Sequence, residues 1–150
     1  MVFQRMNRTD PERIFVIMQN NEGSVLVKDG TVQLELASAS IDGVKVRMPD
    51  TGNLFAFVGV ADAAIAVSDF GLIQVYGYRS SSVVFQTNTS QDTGVALVPV
   101  AGQAYLQSVA TTLASNTSIT LQPIVAVLGE SITDSAASAT VSRKIFLRSM

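Results

Sequence analysis

The 150-residue sequence contains no cysteine and no histidine. The absence of cysteine excludes disulfides and thiol nucleophiles, and the absence of both residues excludes Cys/His zinc sites and every catalytic dyad or triad that uses imidazole. Tryptophan is also absent. The compartment stays open, because secreted proteins of this length can fold without disulfides and intracellular proteins normally lack them.

Charged side chains make up only 15% of the chain and are unevenly distributed. Residues 93–129 contain no Lys, Arg, Asp or Glu, and the only charged residues within 80–142 are Asp92, Glu130 and Asp134. Acid–base catalysis requires a titratable group near the substrate, and a nucleophile requires a neighbouring base. We therefore predict that the chain is not an enzyme, and we interpret it as a structural or binding protein.

The remaining carboxylates fit simpler roles than catalysis. Asp29 and Asp42 precede glycines in turn patterns, and Asp62 and Asp69 flank a short strand candidate. Neither a calcium-loop spacing nor a paired-acid motif is present. The glycines form no phosphate-binding loop and no dinucleotide fingerprint. We therefore predict no catalytic residue, no metal site and no cofactor.

The charge balance also bears on partners. A net charge of −2 and a pI near 4.9 argue against a nucleic-acid partner, which would require Lys and Arg gathered on one face. The apolar run at residues 14–18 is too short for a signal-peptide core or a membrane span, so we expect neither export nor a membrane partner. Low charge with many small apolar residues is typical of assembly subunits. We therefore predict a homo-oligomer.

Period-two alternation of apolar and polar residues runs through almost the whole chain. Turn signals recur about every ten residues, the spacing of antiparallel sandwiches and barrels. We predict an all-β fold, a single antiparallel β-barrel or jelly-roll-like sandwich with few or no helices, formed by residues 1–150 as one domain. Helices are expected at most at residues 104–114 and 134–139. No internal repeat is identifiable.

The first turn pattern, Asp29-Gly30, predicts a β-hairpin over residues 25–36 with a type I′ turn, in which both central residues have positive φ. In this register Val27 lies opposite Val32 and Val25 opposite Leu34. One face of the hairpin then carries the apolar residues Val25, Val27, Val32, Leu34 and Leu36.

The second turn pattern, Asp42-Gly43, predicts another hairpin, with Ala39 opposite Val46 and with Lys45 and Arg47 on the outer face. The inward parity changes near residues 36 and 37, which predicts a bulge or corner there. Residues 50–53 predict a turn, and further strands are expected at residues 54–60, 63–67, 72–78, 83–86, 95–98, 105–109, 118–128 and 141–148. The polar tracts 80–82, 88–92 and 131–138 are expected to be exposed loops.

The basic residues gather at the two ends of the chain. They are Arg5, Arg8 and Arg13 at one end and Arg143, Lys144 and Arg148 at the other. One interpretation is that they solvate the termini. The other is that the termini meet and form a basic patch that docks on an acidic partner. Both interpretations stay open at this point.

Three segments resemble a known class of proteins. They are FGLIQVYGY at residues 70–78, GVALVPV at 94–100 and KIFLR at 144–148. Their pattern is a G-x-x-Q-V-x-G strand, a G-x-x-L-x-P turn some twenty residues later and a basic-apolar terminal strand. It is similar to the head decoration, or cement, proteins that tailed phages encode beside the major capsid protein.

The resemblance implies a barrel or jelly-roll-like domain, often oligomeric, that binds the major capsid protein on the outer surface of the head and strengthens the shell. Under this hypothesis the termini, about residues 1–12 and 143–150, are contact arms. The capsid-contact candidates are Arg5, Arg8, Arg13, Arg143, Lys144 and Arg148.

Two alternatives share the β-rich character. One is another virion part, such as a head–tail connector or a tail or fibre component. The other is a carbohydrate-binding module of the adhesin type, for which exposed aromatic rings would supply a platform. The aromatic residues in strands are Phe70, Tyr76, Tyr78, Phe85 and Tyr105, which we expect to be core and subunit contacts instead.

Overall fold

The computed structural model describes residues 12–36, 43–86, 90–109, 123–133 and 138–148. Within these ranges the regular secondary structure is almost entirely β-strand, so the all-β prediction is confirmed. The only helical element described is a 3-10 turn at Leu54–Ala56. The strands are β1 (Arg13–Asn20), β2 (Thr31–Leu34), β3 (Lys45–Arg47), β4 (Phe57–Ala61), β5 (Phe70–Gln86), β6 (Ala96–Pro99), β7 (Leu106–Ser108), β8 (Ala126–Leu128) and β9 (Ala139–Arg148).

The strand pairings form two closed circuits that share one strand. The first circuit runs β1-β3-β2-β4-β5 and returns to β1, and the second runs β5-β7-β6-β8-β9 and returns to β5. We call them unit 1 and unit 2. The shared strand β5 is 17 residues long, and its first half closes unit 1 while its second half closes unit 2. All nine strands lie in one sheet, but β1 pairs with β3 and β5 with β7 in parallel, so the sheet is mixed and is not the clean antiparallel barrel or sandwich of the prediction.

The two units have the same pairing diagram. Each contains one parallel and four antiparallel pairings in the same order, so β1 to β5 of unit 1 correspond to β5 to β9 of unit 2. Even the isolated bridges correspond, Leu26 with Ile65 in unit 1 and Gln91 with Ile132 in unit 2. The expectation of no internal repeat is therefore wrong for the fold.

Matched backbone hydrogen bonds establish which residues are equivalent. Ala61 N donates to Gly30 O at 2.9 Å, and Leu128 N donates to Val95 O at the same distance. One residue further on, the Asp62 N–H donates to the carbonyl of Leu72 at 2.9 Å, as that of Gly129 does to Lys144 at 2.7 Å. These matches make Ala61 equivalent to Leu128, Asp62 to Gly129 and Val60 to Val127.

Each unit has its own apolar core. The core of unit 1 contains Met18, Leu26, Val32, Val46, Ala61, Ile65, Ile73 and Val75. The core of unit 2 contains Val84, Leu97, Leu106, Val125, Ala126, Leu128, Ile132, Ile145 and Leu147, and two residues of β4, Phe57 and Val60, pack into it. Burying a side chain of this size contributes roughly 1.5–3 kcal/mol. Because β4 supplies residues to both cores, the units pack against each other.

A glycine marks the point where β5 passes from one unit to the other. Gly77 pairs with Arg13 on one edge and with Leu147 on the other. Its φ is +97°, and a Cβ at this position would overlap the carbonyl oxygen of Glu12. Only glycine satisfies both conditions, since it has no Cβ and adopts positive φ freely.

The hairpin predicted over residues 25–36 is wrong. Leu26 is buried, whereas Val25 and Val27 are 54% and 48% exposed. Leu26 bridges to Ile65, and β2 pairs with β3 and β4 instead of with the preceding segment. The turn exists, but only Asp29 has positive φ, so it is not type I′ and does not fold the flanking segments onto each other.

The second hairpin has the predicted direction and a different register. Strands β2 and β3 are antiparallel, but Leu34 lies opposite Val46, where Ala39 was expected. Val46 is buried between half-buried Lys45 and Arg47, as the alternation predicts. Residues 37–42, which include the second half of the predicted bulge, lie outside the described residues.

Most of the other strand predictions are confirmed, with boundary changes. Candidates 72–78 and 83–86 join through the predicted loop 80–82, which is part of β5 and contains fully buried Ser82. Candidate 54–60 begins with the 3-10 turn, and 63–67 contributes only the Ile65 bridge. The turn at 50–53 is confirmed, since Asn53 Nδ2 donates to Asp50 Oδ1 at 2.9 Å. Residues 104–109 are not helical, and residues 110–114 and most of 134–139 are not described.

Candidate functional site

A buried arginine lies where the two units meet. Arg79 is on β5, just past the switch at Gly77, and its side chain is 6% exposed. Nη1 donates to Asp62 Oδ1 at 3.2 Å and to Gln74 Oε1 at 3.1 Å, and Nη2 donates to Asp29 Oδ1. The remaining acceptors are backbone carbonyls, of Ala61 for Nη2 at 2.8 Å and of Ser81 for Nε at 2.7 Å. A buried guanidinium is tolerated only with such pairing, so this cluster joins the units.

The cluster explains two local distortions. The pairing of β5 with β9 shifts register between Arg79 and Ser82, which turns the arginine toward unit 1. Asp29 adopts a φ of +63°, and its second carboxylate oxygen accepts a hydrogen bond from Ser81 Oγ at 2.9 Å. The bulge between Arg79 and Ser82 and the turn at Asp29 thus lie opposite each other where the two units meet.

An open cleft of about 200 Å³ lies beside the cluster. Its floor includes Arg79, whose donors are all used within the protein. Arg13 and Lys28 are exposed at its rim. The lining of this junction cleft also contains Asp29 and Asp62, the partners of Arg79, so Arg13 and Lys28 are its exposed cations, which suit contact with a carboxylate on another protein.

The structure distributes the predicted basic contact residues over several places. Arg13 pairs with Gly77, and Arg148 pairs with Tyr76 from the opposite edge of β5, so these two lie about 10 Å apart across one strand. Arg148 and Ile14 both lie opposite Tyr76, so Arg13, the neighbour of Ile14, points to the other face of the sheet, and only the backbones of the two arginines are close. Arg5 and Arg8 lie outside the described residues.

The other two candidates are further along β9. Arg143 is half-buried and donates through Nη2 to Gln86 Oε1 at 3.0 Å. Lys144 is exposed, with Nζ 3.8 Å from Glu130 Oε2. Residues 143–148 form the end of β9, which pairs with β5 and, over its last residues, with β8, and their role as a contact arm stays a prediction.

Apolar side chains lie exposed in a strip on the outer face of unit 1. We call Ile17, Phe70 and Leu72 the β1–β5 strip. Ile17 lies directly opposite Leu72, and Phe70 is two residues before Leu72 on the same strand face. Their exposed fractions are 67%, 61% and 46% in that order. Grouped exposed apolar side chains on a folded surface mark interaction sites.

The aromatic residues do not form the core that the sequence predicts. Tyr76, Tyr78, Phe85 and Tyr105 are only half-buried, and Phe70 is exposed. Phe85 and Tyr105 stack at 5.3 Å between ring centroids, and Tyr76 meets Phe146 edge to face at 5.4 Å. Apart from Phe57, which packs in unit 2, aliphatic residues fill the two cores instead.

Sequence reasoning missed the Arg79 cluster. The available signal was an isolated arginine inside a long alternating strand, next to a run of serines. Among the described residues, no group of three Asp or Glu side chains is placed to hold a metal ion. In the same part of the chain no helix is long and apolar enough to cross a membrane.

Comparisons with known proteins add no relative. The chain matches no family model, and no curated protein is similar to it.

Proposed function

We propose that this protein is a structural component of a tailed-phage virion, a decoration protein that binds the major capsid protein on the outer surface of the head and stabilises the shell. The observation that carries the proposal is the β1–β5 strip. Exposure of Ile17, Phe70 and Leu72 side by side to water is unfavourable. Covering them with another protein lowers the free energy. The resemblance of residues 70–78, 94–100 and 144–148 supports the choice of a head protein.

This function requires broad contact and no chemistry. A decoration protein gains its affinity from many weak contacts made at once, because each copy and each face raises the effective concentration of the next. The small cores and the paired strands give a rigid body with apolar outer faces. Both features suit a subunit that acts by burying surface.

Attachment to the shell is assigned to the basic residues beside the junction cleft. Arg13 and Lys28 share the rim of the cleft, and Arg148 lies across β5 from Arg13. Exposed cations of this kind steer a protein toward an acidic surface and set its orientation there. Their contribution weakens as salt screens the charges.

The experiment is a binding measurement on purified expanded heads that lack the protein. The double variant Arg13→Glu with Arg148→Glu should lower the affinity about tenfold or more and flatten its salt dependence, since each exposed pair contributes up to about 1 kcal/mol and that contribution is what salt screens. The matched control is Lys144→Glu, because Lys144 lies against Glu130 further along β9 and should have a smaller effect. Heads that bind the double variant as tightly as the wild type would contradict the attachment surface.

Failure of the wild-type protein to bind heads would contradict the function itself. Copy number then decides between the remaining virion roles, since hundreds of copies per particle fit a shell and a dozen or fewer fit a neck or tail. Binding on a glycan array that is lost in the variant Phe70→Ala would favour the carbohydrate-binding alternative.

A further inference from the structure

A short two-stranded ribbon of unit 1 presents an apolar face to solvent. Leu26 and Ile65 exchange two backbone hydrogen bonds, each of 3.0 Å, and both side chains are buried. Because side chains alternate along an extended chain, the neighbours of these two residues point outward. Val25 is 54% exposed, Val27 is 48% exposed, and the two alanines opposite them are exposed as well. We call these four residues, Val25, Val27, Ala64 and Ala66, the ribbon face.

The equivalent ribbon of unit 2 shows what the same solvent-exposed positions carry elsewhere in the molecule. Gln91 and Ile132 exchange the same two backbone hydrogen bonds, at 2.9 and 2.7 Å. Their outward neighbours are all polar and exposed, and they are Ser90, Asp92, Ser131 and Thr133. Four polar residues in unit 2 thus correspond to four apolar residues in unit 1. Grouped apolar side chains at such positions mark an interaction site.

The backbone beside the ribbon face has an unused edge. Leu26 directs both its N–H and its C=O to Ile65, so the polar groups of Val25 and Val27 point to the opposite side of the segment. The C=O of Val27 accepts from Gly30 N at 3.2 Å, which closes the turn. Within the described part of the chain, the N–H groups of Val25 and Val27 and the C=O of Val25 have no hydrogen-bond partner. An edge of this kind can pair with an added strand.

A small cleft beside the ribbon indicates which side chains the added strand carries. The cleft has a volume of about 40 Å³, and its lining is mostly apolar. It includes residues 25–27 together with Val32, Met48 and Ala104. Such a lining suits an aliphatic side chain. The strand that pairs with residues 25–27 is therefore expected to be apolar at alternate positions, where it lies beside Val25 and Val27.

A cation at the end of the ribbon adds a charge requirement. Lys28 follows directly after Val27 and is exposed, and it forms no ion pair with any of the described residues. Its equivalent in unit 2 is the uncharged Thr93, so only the ribbon of unit 1 has this cation. A carboxylate opposite Lys28 on the added strand forms a favourable cross-strand pair. Lys28 also lies on the rim of the junction cleft, so the ribbon is continuous with the attachment surface.

We propose that residues 25–27 are a docking edge for an extended segment of another protein. The segment adds a strand to the ribbon, with aliphatic side chains at alternate positions and an aspartate or glutamate opposite Lys28. The unused backbone groups, the apolar ribbon face and the unpaired lysine each specify one of these properties. The inference deepens the function proposed above by naming the element of the shell protein that is recognised, and in that respect it rests on that function.

A probe peptide tests the docking edge without the shell. The capped pentapeptide Asp-Val-Thr-Val-Asp places valines beside Val25 and Val27 and an aspartate beside Lys28 in either strand direction. In NMR titrations of the isotope-labelled protein, the amide signals of Val25 and Val27 should shift in a saturable manner, because these N–H groups donate the new hydrogen bonds. The same peptide methylated on its internal backbone nitrogens should bind about tenfold more weakly, because it loses its donors.

The matched protein variant introduces the residues of unit 2 into unit 1. Val25→Ser with Val27→Asp changes only exposed side chains and leaves both cores intact, and peptide binding should fall about tenfold or more. The control is Ile124→Ser, at a 56% exposed position in unit 2, which should bind the peptide like the wild type. Lys28→Glu should reverse the charge preference, so that a peptide with lysine in place of both aspartates binds more tightly than the original.

Three results would each overturn the docking edge. They are unchanged signals of Val25 and Val27, equal binding of the methylated and unmodified peptides, and full peptide binding by the double variant. Head binding gives a separate answer. Heads that bind the double variant as tightly as the wild type would show that the shell is recognised elsewhere. Peptide binding by a protein that does not bind heads would uphold the docking edge and remove the proposed function.

Discussion

Asp29 of unit 1 and Gly94 of unit 2 occupy the same position in equivalent turns. The two residues differ because only Asp29 binds an arginine. Both have positive φ, and the turn is closed by Gly30 N to Val27 O at 3.2 Å in one unit and by Val95 N to Asp92 O at 3.3 Å in the other. Asp29 tolerates the left-handed conformation while its carboxylate holds Arg79 and Ser81. The turn of unit 2, which binds no arginine, has glycine, the residue that adopts this conformation without strain.

The second aspartate of the cluster follows the same rule. Asp62 binds Arg79 from the end of β4, and its equivalent after β8 is Gly129. The two units thus share a pairing diagram while one carries all the acidic partners of the junction. The shared strand order therefore does not by itself determine the junction, which is held by acidic side chains that only unit 1 carries.

The largest expected effect comes from removing the arginine that distinguishes the units. Arg79→Leu leaves Asp29 without its partner in a poorly solvated position, and losing one member of a buried ion pair costs about 3–5 kcal/mol. Urea unfolding should show this loss in the free energy of unfolding. The control is Lys144→Leu, an exposed ion pair in unit 2, which should cost less than about 1 kcal/mol. A loss of similar size in both variants would mean that the cluster does not join the units.

An intermediate effect is expected from the comparison of the fully buried Val60 with its half-buried equivalent in unit 2, Val127. Val60→Ala removes two methyl groups from a fully buried side chain, and the expected cost is about 2 kcal/mol. Val127→Ala makes the same change at the equivalent, half-buried position and should cost less than about 1 kcal/mol in the monomer. Thermal unfolding at low protein concentration measures both. Equal losses would contradict the difference in burial between Val60 and Val127.

The smallest expected effect tests the turn itself. Gly94→Asp places in unit 2 the residue that unit 1 has, and no atom lies within 4 Å of the added Cβ. Since aspartate adopts positive φ more readily than most residues, the cost should be below about 1 kcal/mol. Gly94→Val is the comparison, because a β-branched residue at positive φ should cost about 1–3 kcal/mol. Denaturant midpoints that fall equally for both would show that the turn tolerates only glycine.

Alternation along the chain was sufficient to predict the strand content and several strand positions. Residues 83–86, 95–98, 105–109 and 141–148 all fall in or at strands, because an apolar-polar alternation has one physical solution once a face is buried. The same alternation could not reveal the repeat. Pairing a strand requires only apolar residues on the inner face, so Leu26 and Gln91, or Asp62 and Gly129, can be equivalent without being alike.

Local turn rules failed where a distant residue decides the outcome. The Asp29-Gly30 pattern favours a two-residue hairpin, but Asp29 is held by Arg79, fifty residues later in the chain. The serines at 80–82 are typical of loops, yet Ser80 and Ser81 occupy the bulge beside that arginine and Ser82 pairs with Arg143. The contact surfaces were also unpredictable in detail, since exposure of Ile17 or Ile124 depends on which unit lies against which face.

Because β5 belongs to both closed circuits, the succession of units has a direction along the chain. Each circuit ends with a strand that can serve as the opening strand of a successor, as β5 does for unit 2, and β9 occupies the same position in the second circuit. Lengthening β9 and adding four strands in the same order would generate a third circuit at the C-terminal side. Further circuits can therefore be added in one direction. Dividing the chain within β5 would leave an unpaired strand edge in the strands on either side of it.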